Sequence, residues 1–298
     1  MTVTDRILIA TFLIPILCWF VPAIQERVRQ HLRAKPAWVF AGPAVLVALF
    51  LVGVGSHGAG GTTLLISAYA FLPTILAYAA GPGGETHPKT SWRPWVDVTI
   101  ILMLWLPLEL GPARTLVSRP VQGPIFTMAY GVGVNLALLL FLLFRGIPGM
   151  KYRLPARWLD LALPALGLAI LIPVLIVMGR AFGFISPFHI PPALTAATLA
   201  NRYVLIFLAI ALPEEILFRA LIQNWLMLRF GSTDRLLAAA AIVFGASHLN
   251  NGLFPNWRYM IMATVAGFVY GKVFQKSHSV VSSAMLHAGV NTLRHSFF

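Results

Sequence analysis

The chain has 298 residues, 58% of them hydrophobic and only 10% charged, where soluble domains carry roughly 25% charged residues. This excludes a water-soluble globular protein and describes a polytopic membrane protein. The net charge of +13 does not indicate nucleic acid, because most basic residues fall in short loops between apolar runs, where they face the cytoplasm and its anionic lipids.

A bilayer core of about 30 Å takes roughly 20 apolar residues as helix. Segments 7–24, 38–54, 64–80, 96–110, 125–144, 158–178, 202–228, 236–250, 259–275 and 280–297 approach that length. The expected fold is all-α, a transmembrane helix bundle of about eight to ten spans. The first segment does not read as a cleavable signal peptide, because Arg27, Arg29, Arg33 and Lys35 follow it rather than precede it. Cys18, the only cysteine, lies within it and reads as plain packing. Asp97, Glu109 and Asp160 fall near helix ends or a loop edge and read as solvated.

With ten helices, one set of alternate loops, together with Lys272, holds 14 of the 22 Lys and Arg residues and the other set holds seven. That split puts both termini outside the cytoplasm. Pro187, Pro191 and Pro192 bar a continuous helix through 181–201. The chain is therefore expected to divide into residues 1–198, with about six spans, and residues 199–298, which carry the chemistry on the last four.

An ionisable side chain at bilayer depth costs at least a few kcal/mol and marks a candidate site. Residues 212–225, LPEEILFRALIQNW, hold Glu214, Glu215 and Arg219. Glu215 and Arg219 are four apart and share a helix face in the favourable order, while Glu214 points about 100° away. Pro213 is expected to kink the helix beside them. Residues 244–252, FGASHLNNG, put Phe244 and His248 four apart at a helix end. Taken alone, His248 reads as a headgroup-level residue. Residues 279–295 carry Ser283, His287 and Asn291 at four-residue spacing, a polar stripe on an apolar helix. Ala263, Gly267 and Gly271 permit close helix approach and read as scaffolding that brings the helices of Glu214 and His287 within reach. His31, His57, His87, His189, His278 and His295 lie in loops or at helix ends and read as solvated. GxSxG, P-loop, GxGxxG and HExxH patterns are absent.

EExxxR at 214–219, FxxxH at 244–248 and HxxxN at 287–291 resemble the three motifs of the CAAX-processing and bacteriocin-processing (CPBP, or Abi) membrane proteases, which include the type II CAAX endopeptidases. The resemblance covers roughly the last hundred residues. It implies a glutamate intramembrane endopeptidase without a cofactor. In it Glu214 would activate water, His248 would orient that water or shuttle its proton, and His287 and Asn291 would stabilise the oxyanion. Glu215 and Arg219 would support the geometry, with Phe244 in the second motif. The substrate would be a membrane-anchored or lipid-attached protein or peptide. The expected location is the bacterial plasma membrane, with the site towards its outer face.

Three other readings stand beside it. Glu214, His248 and His287 could hold catalytic zinc. The polar residues could merely lock a non-catalytic bacteriocin self-immunity protein. Intramembrane carboxylates also serve proton-coupled transporters, although no internal repeat is visible here.

Overall fold

Prolines, glycines and short capping residues cut the apolar chain into helices. The computed structural model describes residues 3–55, 60–82, 93–110 and 122–298, and no strand occurs among them. The chain forms two compact units, 1–149 and 150–298.

The first unit contains α1 (Val3–Cys18), α2 (Pro22–Ala34), a 3-10 turn (Pro36–Phe40), α3 (Ala41–Val54), α4 (Gly60–Ala80), α5 (Arg93–Leu110) and α6 (Gln122–Ala137), which runs on as a π-helix over Leu138–Phe144. The first predicted segment, 7–24, is not one straight helix. It breaks after Cys18 and turns by 90° into α2, which Pro22 starts at its first turn. Cys18 is exposed rather than packed in the core. α6 packs against α1 and α3, and Asn135 donates to the Phe12 carbonyl at 2.9 Å. Asp97 is not solvated. It is buried and paired with Arg145, Nε to Oδ1 at 2.9 Å. A carboxylate within an apolar helix avoids the desolvation penalty only by finding such a partner.

The second unit contains α7 (Trp158–Ala181) and a long run we label α8, made of Ala196–Ile206, Phe207–Ala211, Leu212–Glu215, Ile216–Gln223 and Asn224–Phe230 without a break. α9 (Asp234–Ala246), α10 (Trp257–Lys276) and α11 (Val280–Phe297) follow. Each start carries a side chain that takes a free backbone N–H: Thr195 accepts from Thr198, Thr233 from Leu236, Asn256 from Tyr259 and Ser279 from Val281. At α7 the cap is Asp160, which accepts from the backbone of Ala156 and Arg157, and from His278 N at 2.9 Å. It is buried, not solvated as its position at a loop edge suggests.

This unit begins at Met150, earlier than the expected boundary at 198/199, because α7 and the loop before it pack on α10 and α11. Glycines permit the close crossings. A Cβ at Gly167 would sit 2.8 Å from Leu286, one at Gly267 would sit 2.7 Å from Phe244, and one at Gly271 would sit 2.4 Å from Leu237. The small-residue stripe of α10 receives α9 and, at Gly271, also Gln223 of α8, whose amide donates to the Gly271 carbonyl at 3.1 Å, while Ser283 of α11 donates to the adjoining Tyr270 carbonyl at 3.1 Å. Pro213 does not break α8. π-helical stretches lie on either side of it, at Phe207–Ala211 and Ile216–Gln223, and absorb the missing donor.

Two sets of contacts define the ends of the unit. At one end Lys151 donates to the carbonyls of Phe274, Gln275 and Ser277, and Lys272 pairs with Asp234. At the other, Phe182 meets Trp257, and Arg202 donates to the His295 carbonyl at 2.6 Å. Four helical stretches among the described residues are long and apolar enough to cross a membrane: Pro36–Val54, Gly61–Ala80, Thr127–Phe144 and Trp158–Ala181. The bent α1–α2 pair makes a fifth if it counts as one span. α8 to α11 are not among them. α9 has only 13 residues, and α8 and α11 carry the motif's ionisable residues.

Candidate active site

The order of the motif residues along α8 decides their surroundings. Glu215 and Arg219, one turn apart, both have fully buried side chains, with Nε to Oε2 at 3.1 Å. The planar face of Arg219 rests on two rings, 4.6 Å from the centroid of Phe244 and 5.7 Å from that of Tyr270. Glu215 is held from a second helix as well. His287 Nδ1 on α11 lies 3.1 Å from Glu215 Oε1, and Ser283 Oγ donates to Oε2. The four-residue stripe of α11 thus points at one carboxylate with two of its three members.

With Nδ1–H donating to Glu215, the tautomer of His287 leaves Nε2 turned the other way. There it lies 3.8 Å from Glu214 Oε2. Glu214 differs from its neighbour in exposure, since 22% of its side chain is accessible. One imidazole therefore sits between two consecutive glutamates, one sealed and one accessible.

α9 supplies the second imidazole. His248 Nδ1 lies 2.9 Å from the Phe244 carbonyl, which also accepts from Ser247 Oγ at 2.8 Å. Nδ1 as the donor leaves His248 Nε2 as an acceptor. The ring contacts Phe244 at 4.9 Å and Tyr259 at 4.5 Å between centroids. Phe244 also meets the His287 ring at 5.7 Å. His248 is buried, because the turn after α9 folds back over α10.

A cavity of about 40 Å³ joins these groups, enough for one or a few waters. Phe244, His248, Tyr259, Tyr270, His287, Asn291 and Arg294 are in its wall. Six of the seven motif residues thus cluster around Glu215 and this cavity. Glu214 is not itself in the wall and reaches it through His287. Among the described residues, no three His, Cys, Asp or Glu side chains gather as a metal-holding group. His57 and His87 lie outside the described residues. His278 is exposed.

Tyr259, Tyr270 and Arg294 were not singled out by sequence reasoning. For Arg294 the signal was present: it continues the α11 face of His287 at i+7. The two tyrosines carry no such mark, since aromatic residues on apolar helices are ordinary.

Comparison with known proteins agrees with this arrangement. Residues 196–293 match the family described as type II CAAX prenyl endopeptidase Rce1-like, a stretch that starts with α8 and contains all three motifs. No curated protein and no solved structure matches the chain. The match covers 98 of the 298 residues, and over that segment the chain is similar to the type II CAAX prenyl endopeptidases.

Proposed function

We propose that the chain is a glutamic-type intramembrane endopeptidase in which Glu214 activates the attacking water. The observation that carries this reading is the contrast between the two adjacent glutamates. Glu215 is immobilised by Arg219, Ser283 and His287, whereas Glu214 is accessible and faces the opposite nitrogen of the same imidazole. A general base must reach water, and a sealed carboxylate cannot.

In this scheme Glu214 takes a proton from water as the oxygen attacks the scissile carbonyl carbon. Asn291 and His287, the latter protonated on both nitrogens in this scheme, donate to the oxyanion from the cavity wall. His248 Nε2, an acceptor, holds the water's second proton. Collapse breaks the C–N bond, and the proton on Glu214 passes to the leaving amine. Water is the only co-reactant. Glu215, Arg219 and Phe244 act by fixing His287 and His248 in orientation, as carboxylate partners of imidazoles do elsewhere.

The substrate in this reading is a membrane-anchored or lipid-attached protein or peptide, met in a bacterial plasma membrane. The end of the unit joined by Lys151 and Lys272 also carries Arg153, Arg157, Arg229, Arg235 and Lys276, whereas the end with the cavity mouth has Arg180, Arg202, Arg258 and Arg294. This asymmetry supports a site open to the outer face. Cysteine labelling at Asn251→Cys then proceeds from outside. Labelling only from the cytoplasmic side reverses the orientation.

Terminal-peptide proteomics on cells expressing wild type or Glu214→Gln tests the activity. New peptide ends with wild type alone identify the substrate. Identical ends in both strains favour a non-catalytic immunity protein.

A further inference from the structure

We infer that the exposed flank of α2 seats the phosphate headgroups of anionic phospholipids, so that this helix lies flat in the headgroup layer and selects the lipids around it by charge. The inference stands on the first unit alone and is independent of the endopeptidase reading.

α2 lies at the ends of membrane-crossing stretches. It leaves α1 at 90°, and the Pro36–Val54 stretch begins just after it. Arg29 Nε donates to the Leu142 carbonyl at 2.9 Å, close to the end of the Thr127–Phe144 stretch. A helix laid across the ends of spans is at headgroup level rather than in hydrocarbon.

The residues of α2 divide by direction. At about 100° per residue, Ile24, Val28 and Leu32 form one apolar stripe. It runs from exposed Ile24 to buried Leu32. Arg29 flanks the stripe on the side turned to the protein, where it donates to Gln25 at 3.2 Å and pairs with Glu26 at 3.8 Å. Arg27, His31 and Lys35 follow at four-residue spacing along the other flank, and all three are exposed. Among the described residues, neither Arg27 nor Lys35 forms an ion pair. Beyond Lys35, Trp38 makes a T-shaped contact with His31, 5.7 Å between centroids, and is itself 57% exposed.

This flank matches the parts of a phospholipid. Arg27 and Lys35 supply positive charge, and the His31 imidazole adds an N–H donor between them. Long basic side chains beside an apolar stripe rest their stems on hydrocarbon and hold their heads at the phosphates. An exposed tryptophan at the start of a span belongs at the same level. Free phosphate would leave the apolar border formed by Ile24 and Trp38 unused. A zwitterionic lipid would leave uncompensated the four basic residues that face one acid between 22 and 35.

The test uses the full chain with Cys18→Ser and Ala34→Cys, a bimane fluorophore on the new thiol, in nanodiscs. Quenching is compared for phosphatidylglycerol and phosphatidylcholine brominated on the same acyl chains. Half-quenching by phosphatidylglycerol is expected at a mole fraction at least about fivefold lower, the factor that one basic residue near an anionic surface supplies. Added salt should narrow this gap. Arg27→Gln/Lys35→Gln should close it. Arg27→Gln alone should close part of it, which keeps the test decisive if the double variant unfolds, as thermal melts will show. Arg235→Gln/Lys276→Gln removes the same charge from exposed positions of the second unit and should leave the gap intact. Equal quenching of wild type by both lipids overturns the inference. So does quenching by neither, which sets α2 away from the bilayer. A folded Arg27→Gln/Lys35→Gln protein with the wild-type gap overturns it too, as does an Arg235→Gln/Lys276→Gln protein that loses the gap, which assigns selection to overall charge. Loss of the gap on adding inorganic phosphate at constant ionic strength makes the flank a site for soluble anions instead.

Discussion

Each unit of this chain buries one arginine against one carboxylate, and the surroundings of the two pairs differ. In the first unit Arg145 meets both oxygens of Asp97, at 2.9 and 3.2 Å, and donates its remaining group to the carbonyls of Gly81 and Ala80. Every direction of that guanidinium ends on an acceptor. In the second unit Arg219 meets Glu215 through Nε, and its faces rest on Phe244 and Tyr270. Glu215 then uses its other oxygen to hold His287. The first pair closes on itself and ties helices together. The second passes orientation to a ring that faces a cavity. A buried ion pair is weak ground for inferring function, and what its second oxygen touches is more informative.

Mutations that break the pairs separate the two roles. Glu215→Ala leaves Arg219 buried without its carboxylate, which should cost about 3–5 kcal/mol of stability. It also frees His287, so chemical denaturation and turnover should both fall. Asp97→Ala should cost a similar 3–5 kcal/mol or so, read as a lower unfolding midpoint. Its surviving folded fraction should cleave at the wild-type rate per active molecule, measured by active-site titration. A specific loss of turnover there would undo the distinction. Gly267→Ala drives a Cβ to 2.7 Å from the Phe244 ring and should cost about 1–3 kcal/mol. Because Phe244 contacts both histidines, the same change should lower kcat more than it raises KM. Lys151→Met removes three hydrogen bonds at the end of α10, far from the cavity mouth. It should cost about 1–3 kcal/mol and leave kcat unaltered. Exhaustive chelation should change nothing, and its loss of activity, restored by zinc, would revive the metal reading.

Helices and motif spacing were legible in the sequence because they depend on local periodicity. The starts of α7 to α11 follow from proline and capping residues, and Glu215 with Arg219, or Phe244 with His248, follow from a four-residue rise. Burial of acids was not legible. Asp97 and Asp160 sit near helix ends in sequence, and only tertiary partners, Arg145 and the His278 backbone, reveal that they are inside. The break after Cys18 escaped hydropathy, which averages across a turn. His248 alone gave a headgroup-level reading because a helix end looks the same whether its turn faces water or folds back on Tyr259. The π-helical stretches around Pro213 carry no spacing signal at all.

Glu214 and Glu215 are adjacent, alike in chemistry and opposite in surroundings, so the most direct measurement compares Glu214→Gln with wild type in hydrolysis of peptides in nanodiscs, in water enriched in oxygen-18. The account predicts label in the new carboxyl ends made by wild type. It also predicts a rate lower by about 10²–10⁴ for Glu214→Gln, as for loss of a general base, with the unfolding midpoint unchanged. A Glu214→Gln protein that hydrolyses at the wild-type rate would contradict it.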